Sequence, residues 1–214
     1  MMLQSLEDLL HKAEIAHGHM CAGQILGVRM SVLGLRSLGI EDPLGADRKR
    51  LVAFVEIDRC ATDAIGMVTG CRLGKRTLKF RDWGKMAATF VDLSSPLPVA
   101  DGDAPACKGV RIAALESSKE RARELYPHIG QKNQQQMMAY REMPDAELFS
   151  EEWVSVELGP REMPGYKSAR IVCARCGEGI NYDRQAGVSP EVLCQGCAAP
   201  EKRYYQPLGA QSQH

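Results

Sequence analysis

Apolar residues in the first forty positions recur every three or four places, the spacing of helices that each bury one stripe. Ser5 followed by Glu7 and Asp8 reads as an N-cap with acidic first-turn residues. Leu6, Leu9, Leu10 and Ala13 then carry the stripe to about Ala16. A second helix is predicted from Ala22 to Leu38, with Ile25, Leu26, Met30, Leu33 and Leu38 on overlapping faces and Gly39 as its stop. Its glycines, Gly23, Gly27 and Gly34, allow another backbone to approach closely, which suits a buried helix or a contact with a second protomer.

LVAFVEID at 51–58 is short, apolar and β-branched, a core strand, and a helix follows from Cys60 to Val68, ended by Gly70. Residues 77–82 and 85–92 read as strands joined at Trp83–Gly84, and 94–108, with its prolines, as an exposed loop. A strand at 110–115, a helix from Ser117 to Leu125, a helix at about 130–142, a turn at PDAELF and a strand at 152–158 follow. Strands and helices alternate without a strict parallel βαβ repeat, so the fold class predicted is α+β: a mixed β-sheet with flanking helices. The Pro- and Gly-rich GPREMPG at 159–165 reads as a linker between a core domain (1–158) and a small C-terminal zinc-binding domain (166–214).

The charges change this picture little. Lys plus Arg balances Asp plus Glu at 27 each, so no long-range field draws the chain to nucleic acid or an anionic membrane. No run of about 18 apolar residues offers a membrane span, and the acidic start does not resemble a secretory signal. A cytoplasmic location is expected, where eight cysteines point to metal or thiol chemistry rather than disulfides.

Cys173, Cys176, Cys194 and Cys197 form C-x2-C-x17-C-x2-C, the spacing of a four-thiolate structural zinc site. A two-residue gap lets a tight turn aim two sulfurs at one tetrahedral ion, and a longer loop returns the second pair. Gly177 and Gly196 supply backbone freedom to the two knuckles. Four thiolates leave no open position, so this site is read as structural, and bound metal supplies much of the segment's folding free energy.

HGHMC at 17–21 gathers a second set of candidates, His17, His19 and Cys21. A helical path places His17 and Cys21 on one face, and an extended path places all three on one side. Cys21 and Cys60 each begin a helix, where backbone N–H groups favour a thiolate. Two chemistries stay open: a second metal ion, zinc by preference, held by His17, His19, Cys21 and Cys60, or a thiol nucleophile at Cys21 or Cys60 with His19 as base. Packing or capping accounts equally for any one of these residues alone. Lys75 and Lys85 are candidates for holding an anionic group, or simply belong to a solvated basic loop. Asp101 and Asp103 lack the further oxygen ligands of a calcium loop.

HGHMCAGQILGVRM, and DRCATDAIGMVTGCRLGKRTLKFRDWGKMAATF at 58–90, resemble the two motifs of the FmdE family of formylmethanofuran dehydrogenase components, although Ala22 stands where a proline is common. The cysteine-rich tail is similar to the zinc-ribbon or treble-clef-like domain that many members carry. The resemblance implies an α+β core, a homodimer, and a metal or active site lined by His17, His19, Cys21, Cys60 and Cys71. It leaves the activity open between a metal-binding enzyme, a thiol-dependent redox enzyme and a non-enzymatic accessory related to metal or molybdenum-cofactor handling. A protein partner docking through the zinc domain is also expected.

Overall fold

The computed structural model describes residues 5–98, 106–187, 191–206 and 208. The chain separates into two compact units, Met1–Gly159 and Pro160–His214. In the first, α1 (Leu6–His17) starts where the Ser5 hydroxyl accepts the Asp8 N–H at 3.2 Å and ends at Gly18, whose φ of +91° is a conformation glycine adopts without strain. The central helix α2 (Ala22–Ser37) is buried almost all round, packed on α1, on α3 (Cys60–Thr69), on the sheet and on α5 (Lys132–Glu142).

Each α2 glycine meets a neighbour within the same chain. A Cβ at Gly27 would lie 2.4 Å from the Ala61 carbonyl oxygen and one at Gly34 would lie 2.3 Å from the Phe90 ring. The close approach read from these glycines is therefore used by α3 and the sheet, and the dimer expectation rests on the family resemblance alone.

The sheet has five strands in the order β2-β1-β3-β4-β5: β1 (Leu51–Val55), β2 (Leu78–Phe80), β3 (Ala87–Leu97), β4 (Ala106–Ala114) and β5 (Phe149–Glu157). β1 and β2 run parallel, joined through α3, and the remaining pairs are antiparallel, so the sheet is mixed. Ala53, Val55, Ala88, Phe90, Val110 and Ile112 belong to the same buried cluster as α2. The alternation along β1, β3 and β4 sends these residues to one face. α4 (Ser117–Leu125), α5 and the single turn α6 (Asp145–Leu148) complete the helical layer.

Three expectations need correction. β2 and β3 do not form a hairpin through Trp83–Gly84: they lie on opposite sides of β1. The core strand stops at Val55, because the chain must turn from β1 to the start of α3. The loop expected at 94–108 is shorter, since β3 runs through Leu97 and β4 begins at Ala106. Pro96 is tolerated in β3 because it lies past a register shift and beyond the last residue paired with β1. Residues 99–105, with Asp101 and Asp103, lie outside the described residues.

The second unit contains the hairpin β6 (Ile171–Val172) and β7 (Gly179–Ile180) and the short helix α7 (Gln195–Ala198). Its small buried cluster is Cys173, Ile180, Leu193 and Cys197, too little apolar surface to hold a fold without a further tie. Among the described residues no helix is long and apolar enough to cross a membrane.

Candidate metal centres

HGHMC is neither a helix nor a strand. His17 ends α1, Gly18 turns the chain in the left-handed region, and Cys21 is the extended N-cap of α2 at φ −146° and ψ 166°. This turn folds three donor atoms, one each from His17, His19 and Cys21, to within 4.8 Å of one another. The two imidazole rings lie 4.7 Å apart between centroids. Cys21 makes no capping hydrogen bond of its own. The first N–H of α2 is met from α5 by Asn133 Oδ1 at 3.4 Å, which leaves the Cys21 sulfur free for other partners.

His17 decides what the cluster can do. Its Nδ1 lies 2.8 Å from Asp63 Oδ2 on α3, so the carboxylate holds the ring proton on that nitrogen. Its Nε2 is buried and has no hydrogen-bond partner. A buried nitrogen lone pair without a donor carries a desolvation cost, and a metal ion removes it. The carboxylate–histidine arrangement is the one that orients and strengthens imidazole ligands of metal ions. Two imidazoles and a thiolate suit zinc or a similar borderline cation.

Cys60, the first residue of α3, stands beside Cys21 but outside the group of three. Burial pushes its thiol up, and the hydrogen bond and charge of Cys21 add to that, so the lowering expected from its helix-start position is overridden. Gln24, fully buried on α2, donates to the Cys60 carbonyl at 2.5 Å and ties the start of α3 to α2. An open cleft of about 450 Å³ borders the site, lined by His17, Asp58, Arg59, Cys60, Thr62 and Asp63. The loop into it is anchored at Glu56, a buried carboxylate gripped by Arg111 through two bonds of 2.7 Å.

The remaining candidates lie elsewhere. Cys71 follows the far end of α3, about 15 Å along a ten-residue helix from Cys60, and its sulfur faces the Leu51 carbonyl in the core. Lys85 rests over the Trp83 ring at 5.6 Å, and Lys75 sits in the 3-10 turn Leu73–Lys75. Neither lysine lines the cleft, where the cationic residue is Arg59. Motif spacing alone does not single out Asp58, Arg59, Thr62 or Asp63. The available signal is the phase of α3, in which Asp63 falls one turn after Cys60.

In the second unit the sulfurs of Cys173, Cys176, Cys194 and Cys197 all lie within 4.8 Å of one another. Gly177, at φ +74°, closes the first knuckle by donating its N–H to the Cys173 carbonyl. Cys194 caps α7 and Cys197 lies within it, so the second knuckle is a helix start, and Gly196 is helical rather than a point of special freedom. N–H groups of Cys194, at 3.3 Å, and of Cys176 hold the Cys173 thiol down to about 6 despite burial. Cys176 goes the other way, up to about 12. The Glu178 N–H favours its thiolate, but desolvation and the neighbouring sulfurs of Cys173, Cys197 and Cys194 outweigh it. Four sulfurs this close cannot all ionise without a cation among them.

The profile of FmdE, described as molybdenum formylmethanofuran dehydrogenase operon, matches residues 16–150. The chain belongs to the FmdE family. The match runs from the end of α1 to the start of β5 and takes in the His17, His19, Cys21 and Cys60 positions. The fold of this FmdE chain is similar to that of a solved FmdE-like protein of tungsten formylmethanofuran dehydrogenase from Syntrophus aciditrophicus. The TM-score is 0.58 at 20% identity, covering 94% of this chain and 95% of that one. A probable S-adenosyl-L-methionine-binding protein of Archaeoglobus fulgidus is 42% identical over 87 residues, which are 40% of this chain and 24% of that protein. The chain thus spans about a quarter of that relative's length.

Proposed function

We propose that this FmdE-family protein is a metal-binding accessory protein that carries two zinc ions per chain. One is structural, held by Cys173, Cys176, Cys194 and Cys197. The other is held in the core by His17 Nε2, His19 and Cys21, with Cys60 beside them and one position open to the cleft. The observation that carries the reading is the His17 ring, held by Asp63 at one nitrogen and buried without a partner at the other.

The residues divide the work. Asp63 keeps the proton on His17 Nδ1, Gly18 makes the turn that gathers the donors, and Gln24 holds the start of α3 against α2. A zinc ion bound there supplies Lewis acidity toward one further ligand. Asp58 and Asp63 outnumber Arg59 in the cleft, a lining that suits a ligand with a cationic centre. S-adenosyl-L-methionine, named for the Archaeoglobus relative, is therefore the first compound to titrate.

Metal content per chain tests the proposal. The wild type is expected to hold two zinc ions, Cys21→Ser one, and Cys60→Ser two, with weakened affinity for the second. One ion in the wild type, lost only on substitution in the tail, overturns the core site. Mass measurement in solution tests the homodimer that the family resemblance implies.

A further inference from the structure

Resting on the reading of a core metal site, we propose that Cys21 and Cys60 form a reversible disulfide that competes with the metal ion, making this site a point of oxidative modification. The geometry supplies the pair, the access and the competition.

The two cysteines come from different helix starts, yet their side chains are in hydrogen-bonding contact. What makes this possible is Gly23. A Cβ there would stand 3.1 Å from the Cys60 Cβ and 3.7 Å from the Cys21 sulfur, so any larger residue would crowd both. The Gln24 bond to the Cys60 carbonyl fixes the two helix starts together, and the contact of Gly27 with Ala61 holds them one turn further along. A pair held this way needs little backbone movement to close a disulfide.

Both cysteines are partly exposed, and Cys60 lines the open cleft, so a small oxidant reaches them. Cys71 and Cys107, by contrast, are buried. The His17, His19 and Cys21 donors form their group without Cys60. Cys60 is thus available to condense with Cys21, and Cys21 cannot at once ligate an ion and be half of a disulfide.

With hydrogen peroxide as oxidant the step balances. The Cys21 thiolate attacks one peroxide oxygen, the O–O bond breaks, and the departing oxygen, taking up protons, leaves as water while a sulfenic acid forms. The Cys60 thiol displaces the sulfenic hydroxyl, which leaves as a second water with the thiol proton. Two sulfurs give up one electron each, peroxide takes both, and the core ion is released.

The test uses the full zinc-loaded chain and stoichiometric peroxide, followed by alkylation and tryptic mapping. Cys21 falls in the peptide 13–29 and Cys60 in 60–72, which also contains Cys71, so fragmentation spectra must separate the last two. The expected result is a Cys21–Cys60 cross-link two mass units lighter than its reduced parts. It should appear with the loss of one zinc per chain, and dithiothreitol should restore binding. Cys60→Ser, which keeps the Cys21 donor, should retain two zinc ions before treatment and yield no reversible release. If two ions bind but no Cys21–Cys60 cross-link forms, the inference fails while the proposed function stands. If the reduced chain binds a single ion, the proposed function fails first, and the competition with it.

Discussion

Replacing Asp63 separates a metal site from a merely crowded turn. The carboxylate touches no donor atom except through His17, so Asp63→Ala leaves His17, His19 and Cys21 in place and removes only the 2.8 Å bond to His17 Nδ1. Loss of such an outer partner typically weakens metal binding ~10- to 100-fold. The Asp63 side chain is 62% exposed, so solvent already screens its charge, and the effect should fall near the lower bound. That is about tenfold, or roughly 1.4 kcal/mol. Asp63→Asn keeps an acceptor for the Nδ1 proton and should lose less. The assay is competition for zinc against a chromogenic chelator at neutral pH, with Cys21→Ser as the reference for a lost ligand. Weakening of less than twofold by Asp63→Ala, or equal weakening in the Cys21→Ser background, would refute the argument that His17 Nε2 binds the ion.

Gly27→Ala should destabilise the core by about 1–2 kcal/mol in urea unfolding: a gain of ~1 kcal/mol in helix propensity is outweighed by overpacking against the Ala61 backbone. Asp92 has its carboxyl pushed up by burial, but hydrogen bonds from Arg50, Ser94 and Ser95 win and hold it at about 2. A depressed carboxyl stabilises the fold above its unfolded value and loses that as pH falls. Asp92→Asn should therefore be less stable by about 2 kcal/mol above pH ~5, with the gap to wild type closing between pH ~4 and ~2 in denaturation at stepped pH. Chelation of the tail zinc should abolish the fixed structure of residues 160–214 while leaving the core helices, seen as selective loss of amide protection in that segment.

The helices are legible in the sequence where local signals agree. Ser5, Glu7 and Asp8 announce α1, and Gly70 ends α3 in the left-handed region as its position suggests. The tail ligands are legible because two-residue gaps leave the sulfurs little choice of geometry. Strand pairing is not, since nothing in residues 77–92 distinguishes a hairpin from two strands that share a neighbour. The thiol state of Cys60 escapes a sequence reading for a related reason. Its helix start is a local property, whereas burial against Cys21 depends on how α2 lies on α3.

That packing is the common cause behind the core site. Gly23 and Gly27 lie one helical turn apart on α2 and face Cys60, Ala61 and Ala64 on α3, so the two helices approach at backbone distance along one line. A helix pair separated by larger side chains would hold Cys21 and Cys60 too far apart to share a proton, an ion or a covalent bond. The same approach sets Asp63, a turn beyond Cys60, against His17 at the end of α1. The residues that build the site and those that let the core pack are therefore not separate sets. Substitutions at the small positions of α2 should alter metal affinity and stability together, whereas substitutions at Asp63 should move affinity alone.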